Sequence, residues 1–68
     1  MRAKLQAIMP YDLHGTRYYQ VIFLPEGGSD LQQARLSHDM VDEDLQAGET
    51  VEVNAMLGVV DSVRRASD

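Results

Sequence analysis

The sequence predicts an all-β fold, a small five-stranded barrel, from three observations. Residues 3–9 and 49–57 alternate between mostly apolar and mostly polar side chains, which is typical of strands with one buried face. Residues 16–24 are rich in the aromatic and β-branched types that favour strands. The segments between them are too short for the crossover helices of a parallel sheet. Closure into a barrel is expected because it removes exposed strand edges.

The elements follow from the positions of turn-forming residues. A first strand over residues 3–9 is expected to end before the turn residues of Pro10–Gly15. The second strand, residues 16–24, is followed by a Pro-Gly-rich loop from Pro25 to Asp30. A short third strand is predicted over residues 33–37, where small or apolar residues alternate with polar ones.

A short helical turn is predicted between the third and fourth strands. Ser37 or Asp39 can cap its start, and Gly48 can end it in the left-handed conformation. Apolar residues recur at helical spacing at Leu36, Met40, Val41 and Leu45. Residues 54–66 fit either a strand hairpin turning at Gly58 or a helix, and we favour the strand because valine and glycine disfavour helices.

The length bounds the chain to one domain, residues 1–68, with residues 66–68 expected to form a disordered tail. A domain of 68 residues buries only ~60% of the surface that its unfolded chain exposes. The predicted core residues are Leu5, Ala7, Val21, Phe23, Leu36, Leu45, Val51, Val53, Ala55, Val59 and Val63.

Composition excludes several classes of function. The absence of cysteine excludes a disulfide framework and cysteine-based zinc sites. No apolar run is long enough to span a membrane, and the start lacks a signal peptide, so a cytoplasmic protein is expected. The net charge of -5 argues against a general nucleic-acid binder, although a local basic face can coexist with an acidic surface elsewhere.

Enzyme chemistry, cofactors and metal sites are not predicted. Ser37, His38 and Asp39 have the residue types of a hydrolase triad, but adjacent residues point in different directions and cannot converge. His14 and His38 lack a matching third ligand for a metal. The acidic residues at 39, 42, 43 and 44 lack the spacing of a calcium loop and are expected to form a solvated surface.

The second predicted strand supplies the candidate binding surface, because both of its faces are largely apolar. If Tyr18, Ile22 and Leu24 lie in the core, the other face forms an aromatic platform beside a cation, as in single-strand binders. Neighbouring strands would add further cations to this surface. The predicted binding residues are Lys4, Arg17, Tyr18, Tyr19, Phe23 and Arg35.

The predicted partner is single-stranded RNA or DNA, and the alternative is a protein partner or self-association. Tyrosine, phenylalanine and arginine are enriched in protein interfaces as well. A third interpretation has a terminal segment of the chain covering the second apolar face. The sequence therefore predicts a small non-enzymatic binding module, with the partner left open.

A helix between the third and fourth strands is the position expected for an OB-fold; an SH3-like barrel, or an α+β fold with a C-terminal helix, is the alternative. The segments Tyr19-Gln20-Val21-Ile22-Phe23 and Leu45 to Val53 resemble single-domain OB proteins of the bacterial translation initiation factor one and ribosomal S1 type. The second segment contains Gly48-Glu49-Thr50-Val51-Glu52-Val53, similar to that family's entry into strand four. The resemblance implies RNA binding on strands two and three, although that family is usually basic and this chain is acidic.

Overall fold

The computed structural model describes residues 1–66 and contains one antiparallel sheet. Its elements are β1 (Arg2–Leu13), β2 (Thr16–Pro25), β3 (Gln32–Ser37), a 3-10 turn (His38–Met40), β4 (Thr50–Met56) and β5 (Val59–Arg65). The five strands lie in the order β3-β2-β1-β4-β5. The predicted all-β, five-stranded fold class is therefore confirmed.

The predicted tail lies mostly outside this description. Residues 67 and 68 are outside the described residues. The backbone N–H of Ala66 donates a hydrogen bond of 3.1 Å to the carbonyl of Thr50, which continues the pairing of β5 with β4.

Two hairpins turn through two residues in the left-handed conformation. His14 and Gly15 join β1 to β2 with φ angles of 53° and 79°, and Leu57 and Gly58 join β4 to β5 with φ angles of 52° and 81°. Two consecutive positive φ values define the tight turn whose twist matches a β-hairpin. The hairpin interpretation of residues 54–66 is thus confirmed, and the alternative of a C-terminal helix is wrong.

Strand β1 runs four residues beyond its predicted end at residue 9, through Pro10 to Leu13. Opposed residues in an antiparallel pair alternate between those that exchange backbone hydrogen bonds and those that do not. Counted from the tight turn, Tyr11 and Tyr18 form a hydrogen-bonded pair, so the adjacent Pro10 and Tyr19 exchange no backbone hydrogen bonds. The missing N–H of Pro10 therefore faces away from β2. On its other side, β1 pairs with β4 only at Arg2–Lys4, so the edge of β1 at Pro10 is unpaired and tolerates a proline.

A β-bulge in β1 and another in β5 each insert one extra residue, so the side chains beyond it point to the opposite face of the sheet. In β1 the register shifts between Leu5 and Ala7, so that Ile8, opposite the buried Val21, packs against the core. In β5 the corresponding shift leaves Asp61 as the extra residue. The buried core consists of Ala3, Leu5, Val21, Phe23, Leu36, Val41, Leu45, Val51, Val53 and Val63.

Three of the predicted core residues are not buried. Ala7 is half-buried because the bulge in β1 turns it to the outer side, and Val59 is exposed because the bulge at Asp61 has the same effect in β5. Ala55 is exposed because it lies near the end of the β4–β5 hairpin. Ala3 and Val41 are buried in the core as well, although neither is among the predicted core residues.

The predicted helical turn between β3 and β4 is only the three residues His38–Met40. Val41 has extended backbone angles and forms a single parallel bridge with Val63, so the chain leaves the helical conformation at once. The residues after Val41 are stabilised by a side chain of β5 instead of by helical hydrogen bonds. The Arg65 guanidinium donates to the carbonyl oxygens of Glu43 and Asp44 at 3.3 and 3.2 Å. Gly48 does adopt a left-handed φ of 97°, as its position after the expected turn suggested.

The pair formed by Arg65 and Glu49 predicts loss of stability in acid. Arg65 Nε donates to the Glu49 carboxylate at 2.8 Å, and this bond, with one from the Gln46 N–H, holds the pKa of Glu49 below its ordinary 4.5. A group whose pKa is lowered by folding stabilises the folded state above its unfolded pKa and loses that contribution as the pH falls through its folded pKa.

We therefore expect the urea midpoint of unfolding to fall between pH ~6 and pH ~3, with a smaller fall for Glu49→Gln. Asp12 and Asp39 have lowered pKa values too, so the variant reduces the pH dependence without removing it. An equal fall in wild type and Glu49→Gln would contradict a role for this pair.

The two end strands of the sheet, β3 and β5, pack against each other. No hydrogen-bonded ladder joins them within residues 1–66. The sheet is thus strongly coiled around its core, with its inner face buried and its outer face turned to solvent.

Candidate nucleic-acid interface

The register defines an outer face on β1, β2 and β3, on the side opposite the core. Directly opposed residues in an antiparallel sheet share one face, so the pairing assigns each side chain to the core or to solvent. The outer face consists of Lys4, Ala7, Met9, Tyr11, Tyr18, Gln20, Ile22, Leu24, Gln33 and Arg35.

Two tyrosine rings stack on each other at one end of the outer face. The tight turn at His14 and Gly15 sets Tyr11 opposite Tyr18, and their ring centroids are 5.6 Å apart with an interplanar angle of 19°. Both residues are half-buried, so part of the ring pair is accessible to solvent. Stacking covers one face of each ring, so an aromatic ligand can stack only on an outward face of the pair.

Tyr11 is not among the predicted binding residues because it lies beyond the predicted end of the first strand at residue 9. A signal was present: if His14 and Gly15 form a two-residue turn, residue 11 must lie opposite residue 18. Pro10 concealed this pairing, since proline in a strand is acceptable only at a free edge.

The outer face as defined above contains two cations, Lys4 and Arg35. Lys4 and Arg35 form no ion pair with any residue from 1 to 66. The other basic side chains are paired: Arg2 with Glu26 at 3.7 Å, Arg17 with Asp12 at 2.6 Å, Arg64 with Asp42 at 3.3 Å and Arg65 with Glu49 at 2.8 Å.

Carboxylates are absent from the strand positions that make up the outer face. At the margin, Asp39 accepts a hydrogen bond from the hydroxyl of Ser37, which lies opposite Tyr18. The charged residues at these positions are therefore all basic, although Glu52 lies on the same side of the sheet in β4, opposite Arg2, and the chain carries a net charge of -5.

The six residues predicted to bind a partner separate into three groups. Lys4, Tyr18 and Arg35 lie on the outer face. Arg17 and Tyr19 lie on the opposite side of β2, where Tyr19 packs against the core. Phe23 is fully buried, at 0% exposure, so its ring cannot contact a ligand on the surface. The platform expected from Arg17, Tyr19 and Phe23 is therefore replaced by one on the other face of the strand, because Val21 and Phe23 point inward.

Arg17 and Tyr19 line a separate open cleft of about 440 Å³ beside the 3-10 turn. Its two arginines, Arg17 and Arg64, are both paired with carboxylates. The hydrogen bond from Arg17 lowers the pKa of Asp12 and raises the pKa of Arg17, so both stay charged at neutral pH. The neutralised cations make this cleft a poor site for phosphate.

The remaining candidates for chemistry do not converge. The Ser37 hydroxyl bonds to Asp39, which together with a backbone hydrogen bond lowers the pKa of that carboxyl, and His38 is exposed. Within residues 1–66, no three histidine, aspartate or glutamate side chains come close enough to hold a metal ion. The described chain also has no helix with the length and apolar character needed to cross a membrane.

Comparison with protein families, curated proteins and solved structures gives no match to this chain. The resemblance to the initiation factor one and ribosomal S1 type therefore remains a prediction. The function is accordingly inferred from the outer face alone.

Proposed function

We propose that this chain is a small non-enzymatic module that binds single-stranded nucleic acid on its outer face. The observation that carries the proposal is the stacked Tyr11–Tyr18 pair on a face whose charged residues, Lys4 and Arg35, form no ion pair within residues 1–66. Aromatic platforms combined with a positive surface are the usual means of binding single strands without strong sequence preference.

The spacing of these groups suits an extended strand of nucleotides. Lys4 lies opposite Leu24 and Arg35 opposite Gln20, four residues apart along β2, which corresponds to ~13 Å. In the proposed complex a base stacks on the tyrosine pair, and the strand then runs along β2 so that first Arg35 and then Lys4 approaches a phosphate. The affinity should therefore fall as salt is added.

A shallow groove beside Arg35 offers polar contacts to a second base. It has a volume of about 300 Å³ and is lined by Gln20, Gln33, Ala34 and Arg35. Gln20 Nε2 donates to Gln33 Oε1 at 2.9 Å, which leaves the oxygen of one amide and the NH₂ of the other free to bond a base edge. These contacts would orient a nucleotide next to the stacked base.

We also propose an OB-like barrel as the finer description of the fold. The strand order β3-β2-β1-β4-β5, the turn between β3 and β4 and the contact of β3 with β5 support it. The proposed binding surface then corresponds to the strand 2 and 3 face that OB-folds use for oligonucleotides.

The proposal is tested by the salt dependence of binding, measured by fluorescence anisotropy of a labelled single-stranded oligonucleotide. Removing one cation that neutralises a phosphate should reduce the slope of log affinity against log salt by ~0.7 for a single strand. We expect this reduction, with weaker binding, for Arg35→Gln. The matched control Arg17→Gln removes the same charge from the same sheet but from the other face, and it should leave the slope unchanged.

The absence of binding at low salt would overturn the proposal. Equal effects of Arg35→Gln and Arg17→Gln would also contradict it, because they would indicate attraction by overall charge rather than contact with the outer face. A second candidate function, self-association, is favoured by a different feature: the tip of the β4–β5 hairpin.

A further inference from the structure

The β4–β5 hairpin ends in a cluster of exposed apolar side chains. Met56 and Val59 are each 68% exposed, and Leu57, in the turn itself, is 98% exposed. We call these three residues the apolar tip. They contribute nothing to the core, since the hairpin extends past the part of the sheet that other strands cover.

The turn at Leu57 uses an unfavourable residue. Its φ of 52° lies in the left-handed region, where asparagine, aspartate and glycine are preferred and a bulky apolar residue is strained. The other hairpin has the same geometry, with His14 at a φ of 53° in the equivalent position. Because Leu57 is also almost fully exposed, a leucine at this position does not stabilise the fold. A contact with a second molecule would account for it.

The charges near the apolar tip are negative. Residues 50–63 include Glu52 and Asp61 and contain no lysine or arginine. Glu52 accepts an ion pair from the N-terminal ammonium at 2.6 Å, and no such pair is present for Asp61 within the described residues. Within the described residues, the charge left near the apolar tip is therefore that of Asp61, and the complementary surface is apolar and carries positive charge.

This chain carries such a surface itself. The outer face exposes Met9 and part of Ile22 and Leu24, and its charges are those of Lys4 and Arg35. The apolar tip cannot reach the outer face of its own chain. Strand β4 pairs with β1 only at Arg2–Lys4 and then continues past the first residue of β1, away from the outer face.

We propose that the apolar tip of one copy of this chain docks on the outer face of a second copy. Such a contact joins two different surfaces: made reciprocally it closes a two-fold dimer, and made in one direction only it builds larger rings or open chains. Three side chains bury far less than the ~800 Å² per partner of a stable complex, so the association is weak and depends on concentration. If the proposed function holds, single-stranded nucleic acid competes with the apolar tip for the same face.

Sedimentation equilibrium without nucleic acid, from ~10 μM to ~1 mM protein, tests the self-association. We expect the mean mass of the wild type to rise above the 7.6 kDa of one chain. Leu57→Asn should stay at the mass of one chain while melting no lower than wild type, because asparagine suits the turn better. The matched control, His14→Asn, should associate as wild type does. A wild type that remains monomeric at ~1 mM, or a Leu57→Asn variant that still associates, would overturn the proposal.

Amide NMR spectra at the two ends of that concentration range identify the docking surface. We expect shifts at residues 56–59 and at outer-face residues such as Met9, Ile22 and Leu24. Shifts at the apolar tip accompanied by shifts elsewhere, with the outer face unchanged, would overturn docking on that face. Added single-stranded oligonucleotide should then lower the mean mass. If the oligonucleotide does not bind at all, the proposed function fails. The measurements made without oligonucleotide still decide whether the chain self-associates.

Discussion

Tyr18→Ala is expected to weaken the binding of single-stranded nucleic acid by ~5-fold to ~150-fold. This range follows from the ~1–3 kcal/mol that each base–aromatic stack contributes. Truncation removes one of the two stacked rings on the outer face, and it leaves Tyr11 without its ring partner. Anisotropy titration of a labelled oligonucleotide at fixed low salt measures the change.

Tyr18→Phe is the matched control for this variant. It keeps the ring and removes only the hydroxyl, so its affinity should stay close to that of wild type. If Tyr18→Ala binds as tightly as wild type, stacking on this ring is not part of binding. If Tyr18→Phe loses as much affinity as Tyr18→Ala, a hydrogen bond rather than stacking is responsible.

Phe23→Ala is expected to remove a large part of the chain's free energy of unfolding. Replacing a buried phenylalanine by alanine costs ~3–5 kcal/mol, because the lost burial is joined by a cavity that the surroundings fill only partly. A domain of 68 residues has a total stability of only ~3–10 kcal/mol. Circular dichroism during urea and thermal unfolding measures the loss.

Ile22→Ala is the control for Phe23→Ala, since Ile22 is the next residue on β2 and lies on the outer face. Its loss of stability should be much smaller because the side chain is only half-buried. Comparable losses in the two variants would contradict the inward orientation of Phe23. The outer face as defined by the register would then also be wrong.

The alternation of apolar residues was enough to predict the sheet and most of its core. It failed where a bulge inserts one extra residue, because every side chain beyond that point changes face. Ala7 and Val59 were misassigned for this reason. The bulges in β1 and β5 depend on the register of each strand with its partner. No residue type near Leu5 or Asp61 indicates them in the sequence.

The predicted binding residues on β2 come from both faces of that strand, whereas the outer face contains only one of them, Tyr18. Both sides of residues 16–24 are largely apolar, so alternation alone could not decide whether Tyr18 or Phe23 points inward. The decision comes from the neighbours: Phe23 lies opposite Leu5 in β1, and both are fully buried. The ion pairs that neutralise Arg17 and Arg64 join separate segments and also require the folded chain.

The most direct test of the central claim is an amide NMR titration of the ¹⁵N-labelled chain with a short single-stranded RNA at low salt. We predict saturable shifts confined to the outer face, centred on Tyr11, Tyr18 and Arg35, and reversed by added salt. Shifts confined to residues 39–49 or to the cleft beside Arg17, or no shifts at all, would contradict the claim that the outer face binds single-stranded nucleic acid.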